Sequence, residues 1–89
     1  MVDLTEIPNG SQVVCKWIDT NTESAWMDQK LFMTKGPSQC ATVGVWMGIS
    51  KGCVHIAHNI TEDQCDGTVI PLGVIKKVRI TRNAKSHSR

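Results

Sequence analysis

The sequence predicts an all-β chain: a small, strongly bent antiparallel barrel of about five strands with one short helical turn. Three observations carry this. Apolar and polar residues alternate at period two through most of the chain, the pattern of strands with one buried face. Glycine and proline cut these stretches into short segments, and Gly44 and Gly48 stand inside one of them, where a strand bends or meets another backbone closely. No stretch keeps a helical period over several turns and no spacing fits a βαβ unit, which argues against a parallel sheet.

Ile7-Pro8-Asn9-Gly10 is a turn signal, because proline presets one backbone angle and Asn-Gly tolerates positive φ. Residues 12–19 form the first strand, with Val13, Cys15 and Trp17 alternating against Val14, Lys16 and Ile18. A polar loop covers 20–23. Asp28 is placed to cap one helical turn over 29–33, with Leu31 or Phe32 facing inward. That segment is too short to be an independent helix, and Gly36-Pro37-Ser38 ends it. The second strand spans 39–48, with Ala41, Val43, Val45 and Met47 on one face and Cys40, Thr42, Gly44, Trp46 and Gly48 on the other. Residues 49–52 make a tight hairpin into a third strand at 53–60, whose Val54, Ile56, His58 and Ile60 share a side. An acid-rich loop follows at 61–67, then a short fourth strand at 68–70. Pro71-Leu72-Gly73 cannot continue a ladder and forms a 3₁₀ turn. The last strand, 75–81, turns Ile75, Val78 and Ile80 inward and Lys77 and Arg79 outward.

Residues 1–81 thus make one domain and 82–89 a basic tail. At 89 residues the chain buries only about 60–65% of its unfolded surface, so its core is small and partner subunits are a natural source of stability. A deep, self-contained active site is not expected. No apolar run approaches membrane-spanning length and MVDLTEIPNG carries no secretory pattern, so a cytoplasmic protein is expected, without a membrane partner. Residues 76–89 hold six of the ten basic residues and no acid, leaving the first 75 with four bases against eight acids. Such an end either frays into solvent or binds nucleic acid, a phosphate-bearing ligand or an acidic neighbour.

Cys15, Cys40, Cys53 and Cys65 are widely spaced, with no close pair of ligands. Four free thiols are expected, with no metal site and no cofactor. The nearest metal-like set, Cys53, His55, His58 and Cys65, puts its two histidines on opposite faces of a strand. No spacing links a cysteine to a histidine and an orienting acid, and no phosphate-binding glycine loop occurs, so no enzyme is expected.

Trp17-x-Asp19, a polar loop, Trp26, Thr42-Val43-Gly44, then Ile70-Pro71 and Ile75 form a pattern over about residues 12–81. It resembles a group of small accessory proteins of tailed bacteriophages, in which a serine usually stands where Thr42 does. The stretch 68–81 also looks like the end of an SH3-like barrel, where a 3₁₀ turn precedes the last strand. The resemblance implies residence in the host bacterial cytoplasm. The group has no assigned chemistry; one strategy of phage accessory proteins is to sequester a nucleotide signal of host immunity, and in the absence of a catalytic constellation action by binding is expected here.

The aromatic content points the same way. All aromatics except Phe32 are the three tryptophans. Trp17 reads as core, Trp26 is open between core and binding surface, and Trp46 shares a glycine-rich face that is thin for a core and reads as an interface. Tryptophan stacks on bases and anchors binding hot spots. Trp26, Trp46, Lys77, Arg79 and Arg82 are therefore the expected ligand-binding set. The expected ligand is a small nucleotide-like molecule held at a subunit interface. The alternatives are a nucleic acid on the basic strand and a host protein that this chain inhibits. Apolar residues on both faces of the 39–48 strand imply a homo-oligomer.

Overall fold

The computed structural model describes residues 3–22 and 24–84. Its elements are β1 (Gln12–Asp19), α1 (Gln29–Phe32), β2 (Ser38–Ser50), β3 (Cys53–Ile60), β4 (Cys65–Pro71) and β5 (Ile75–Arg82), with 3₁₀ turns at Leu4–Glu6 and Leu72–Val74. The all-β class and the five antiparallel strands agree with the expectation.

The strands form one sheet in the order β4-β3-β2-β1-β5. From β1 to β4 the chain meanders; it then crosses back to lay β5 beside β1. Hydrogen bonds do not close the sheet into a ring, so β4 and β5 are its edges. The sheet nevertheless covers its own inner face. Val13, Cys15, Trp46, Val54, Ile56, Ile70 and Val78, drawn from all five strands, are buried in one cluster. Ile7, from the segment ahead of β1, is buried with them. Among the described residues no second sheet or long helix caps them; the curl of the sheet, with Ile7, Leu4 and Val74 packed alongside, takes these side chains out of water.

The curl has local causes. β2 is 13 residues long, and its pairing with β3 slips between Trp46 and Gly48. Gly48 takes φ +119°, which a side chain disfavours. A second irregularity interrupts β3–β4 between Ala57 and Asn59, and two more lie in β1–β5. Such bulges bend a strand and increase its twist. Strands β2 and β3 join through Lys51 (φ 57°) and Gly52 (φ 72°), two left-handed residues as a type I′ hairpin turn requires. The Leu72 N–H donates to the Gly52 carbonyl at 3.0 Å, tying the second 3₁₀ turn to this hairpin.

Several details differ from the sequence expectation. The fourth strand is longer than 68–70: it begins at Cys65, because the bulge at Ala57/Asn59 keeps β4 in register through the acid-rich stretch. There the Asp66 carboxylate accepts from the Asn59 backbone N–H at 2.9 Å. The 3₁₀ turn at Leu4–Glu6 lies outside the expected elements; its cap is Asp3, whose carboxylate accepts from the Thr5 N–H and hydroxyl. Those two bonds hold the Asp3 carboxyl below its usual pKa. The Asp28 cap of α1 is as expected, with its side chain accepting from the Lys30 N–H. Neither Leu31 nor Phe32 turns inward, however; each is 51% exposed. Arg82 belongs to β5, and residues 85–89 of the basic tail lie outside the described residues.

Candidate functional site

Alternation along β1 and β5 sorts their side chains into two faces. Val13, Cys15 and Val78 point into the core. Their neighbours point out: Lys16 pairs with Lys77, and Val14 with Arg79. On the other side of β1, Lys16 pairs with Ala41 and Val14 with the exposed Val43. Lys16, Lys77 and Arg79 are all exposed, so three cations lie side by side on the outer face. Arg82, opposite Gln12, continues the row along β5. No carboxylate occupies the register positions of this face in β1, β2 or β5. The expected cations Lys77, Arg79 and Arg82 are thus brought onto one strand, joined by Lys16. Lys16 was missing from the expected set, although its position between Cys15 and Trp17 marks it as outward.

The tryptophans separate. Trp46 is 1% exposed and belongs to the core, which corrects the reading of its face as an interface. That face lacks bulk at Gly44, but the backbone of β3 fills the space. A Cβ on Gly44 would collide with the Ala57 carbonyl and the Ile56 side chain. Trp46 packs within the core cluster and is closed to a stacking base. Trp17 is half-buried against the core, and its indole N–H donates to the Thr42 hydroxyl at 3.0 Å. Trp26 is fully exposed. It lies in the excursion between β1 and β2, beside a shallow hollow lined by Ser24, Ala25, Met27, Gln29 and Phe32. None of Lys77, Arg79 and Arg82 lines that hollow. The excursion leaves the sheet at the Asp19–Ser38 pair, the end of β1 nearest Lys77 and farthest from Arg82.

A larger groove of about 680 Å³ lies between the first 3₁₀ turn and strands β2, β3 and β4. Its walls are mainly apolar, with Leu4, Met47 and Val69 beside His55 and Asp66, and neither Lys nor Arg lines it. A phosphate would find no cation there.

All four cysteines are free. Cys15 is buried, and burial pushes its thiol pKa up, away from the thiolate a nucleophile needs. Among the described residues no cysteine hydrogen-bonds a histidine: Cys40 contacts the Ser38 carbonyl, and His58 Nε2 bonds the Thr68 hydroxyl at 3.0 Å. Nor, among those residues, do three or more His, Cys, Asp or Glu side chains gather as metal ligands would. No helix among them is long and apolar enough to cross a membrane. No family model matches this sequence, and no curated protein or solved structure is significantly similar to it.

Proposed function

We propose that this protein acts by binding, without turnover, and that the outer face of β2, β1 and β5 holds a phosphate-bearing chain. The observation behind this is the row of Lys16, Lys77 and Arg79, with Arg82 beyond it, on a face without carboxylates. An open row of cations suits a strand of phosphates better than one enclosed nucleotide. Arginine grips phosphate through a bidentate fork, and lysine adds a mobile point charge. Val14, opposite Arg79, and Val43, beside Val14 on β2, offer apolar contact to sugar or base. The curled five-stranded sheet, with a 3₁₀ turn before its last strand, is compatible with an SH3-like barrel.

The reading in which the chain sequesters a small nucleotide loses one of its two stacking residues, because Trp46 is buried. It keeps Trp26, with Lys77 at the end of the cation row nearer the excursion. The resemblance to phage accessory proteins is what supports a target inside an infected cell. Binding of a short single-stranded oligonucleotide and of a mononucleotide, each followed by fluorescence anisotropy against salt, separates the two. Oligonucleotide affinity should fall steeply with salt. The double variant Lys77→Glu with Arg79→Glu should flatten the salt slope by about two while circular dichroism stays unchanged. Undiminished oligonucleotide binding by the variant, or a mononucleotide held with little salt dependence, overturns the proposal.

A further inference from the structure

The cations of the outer face are confined to one margin of it. Across the sheet from β5 through β1 to β2, the register sets Lys77, Lys16 and Ala41 in one row, Arg79, Val14 and Val43 in the next, and Arg82, Gln12 and Val45 in a third. The β5 position is a cation in all three rows, and the β2 position is apolar in all three. Ala41 and Val43 are exposed, Val43 by 61%, and Val45 is half-buried. Neither β2 nor β3 contains a Lys, Arg, Asp or Glu, and the one charged residue of β4 is Asp66. The face is therefore polarised across its strands, with a charged lane on β5 and an uncharged, apolar lane on β2.

We propose, on the premise that this face binds phosphates, that its ligand is single-stranded nucleic acid, with the phosphates along β5 and the unpaired bases laid over Ala41, Val43 and Val45. Lys77 and Arg79 are two residues apart on one strand, about 6.6 Å at the usual rise. The row thus runs lengthwise, as a tracked backbone requires. The two lanes are two strand spacings apart, about 9–10 Å, which leaves Lys16, Val14 and Gln12 of β1 beneath the sugars. A duplex is matched poorly. It keeps its bases stacked inside and flanks each groove with phosphates on both sides, so a surface lying across a groove needs cations at both margins. The second margin here is β2 and β3, which have none. A single strand is itself two-sided, with charge along the backbone and ring faces free on the other side. The β2 lane suits those rings because its side chains are short and a planar base can lie flat on them. For the same reason the lane offers no long apolar side chain to enter a bilayer.

Fluorescence anisotropy of the full chain with three labelled probes of equal length tests this: a single strand, the same strand made abasic throughout, and the duplex. At equal salt the single strand should bind at least about fivefold tighter than the abasic strand, the low end of what a stacked base contributes, and tighter than the duplex. Val43→Asn, at an exposed position, should bring the affinity for the single strand down toward that for the abasic one. It removes no charge, so the salt slope should stay unchanged. Lys77→Glu with Arg79→Glu should weaken binding of every probe. Equal affinity for the abasic and base-bearing strands, with the charge variant still weakened, overturns the single-strand assignment and leaves the phosphate-binding role standing. So does a duplex bound as tightly as the single strand, or a Val43→Asn variant that keeps the full preference for bases. Vesicles of anionic phospholipid bound in preference to the single strand overturn the assignment too. A charge variant that binds every probe as the wild type does removes both readings.

Discussion

Thr42 shows how one hydroxyl on a core-facing position is used. Its side chain is nearly fully buried, and its Oγ1 accepts the Trp17 indole N–H from the neighbouring strand. A buried indole without an acceptor keeps the cost of leaving water, about 1–3 kcal/mol. Thr42→Val should therefore lower unfolding stability in urea by about 1 kcal/mol, at the low end because Trp17 is only half-buried. Thr42→Ser should retain most of it. Equal stabilities for the two variants would show that the bond contributes nothing. Ser11 plays a comparable part. Fully buried, it accepts the Ala84 N–H on its hydroxyl at 3.1 Å and the Trp46 N–H on its carbonyl at 2.8 Å, linking the end of β5 to the start of β1.

Among the elements, β3 and β4 approach each other closely at Gly67. Gly67 faces Ala57, and a Cβ there would press into the Ile56 carbonyl and the Ala57 backbone. The obstruction is backbone, which cannot swing aside as a side-chain tip can. Gly67→Ala should therefore cost at least about 1–3 kcal/mol, the range for overfilling a packed interior. Gly36→Ala is the control, since nothing lies within 4 Å of a Cβ at that position. Thermal unfolding of the two variants checks this, and a Gly67→Ala midpoint equal to that of the control would refute it. The same close approach accounts for the strand that begins at Cys65. With a glycine opposite the bulge, β4 stays paired to β3 where acidic composition alone reads as loop.

At the scale of the whole molecule, a single sheet must supply its own cover, and the centre of that arrangement is sensitive to charge. Cys15 sits at the middle of the core with its thiol pKa raised by burial. In the unfolded chain the thiol ionises near its ordinary value of 9.0. The native state therefore holds the proton more tightly. Its contribution to stability is complete below pH 9 and declines as pH rises through that value toward the native thiol's own pKa. Urea midpoints should fall above pH 9, and Cys15→Ala should reduce that fall while lowering stability at every pH through the cavity it leaves. An alkaline decline identical in the variant would assign it to other groups.

The sequence by itself determined the all-β class, the approximate strand positions, the Asp28 cap, the hairpin between β2 and β3, and the outward row of Lys77 and Arg79. Each rests on a local rule: period-two alternation, the φ demands of a turn, or the orphan N–H groups of a helix start. Only the tertiary structure decided the fate of Trp46, because the cluster that buries it draws on all five strands and on Ile7, and no periodicity within β2 reveals that. It also decided that Lys16 joins the cations of β5, since strands distant in sequence meet only through the sheet order. The separation of Trp26 from Arg82 was decided in the same way. Alternation specifies which way a side chain points from its own strand, whereas distance between sites depends on register and curl, which are settled when the whole sheet closes over its core.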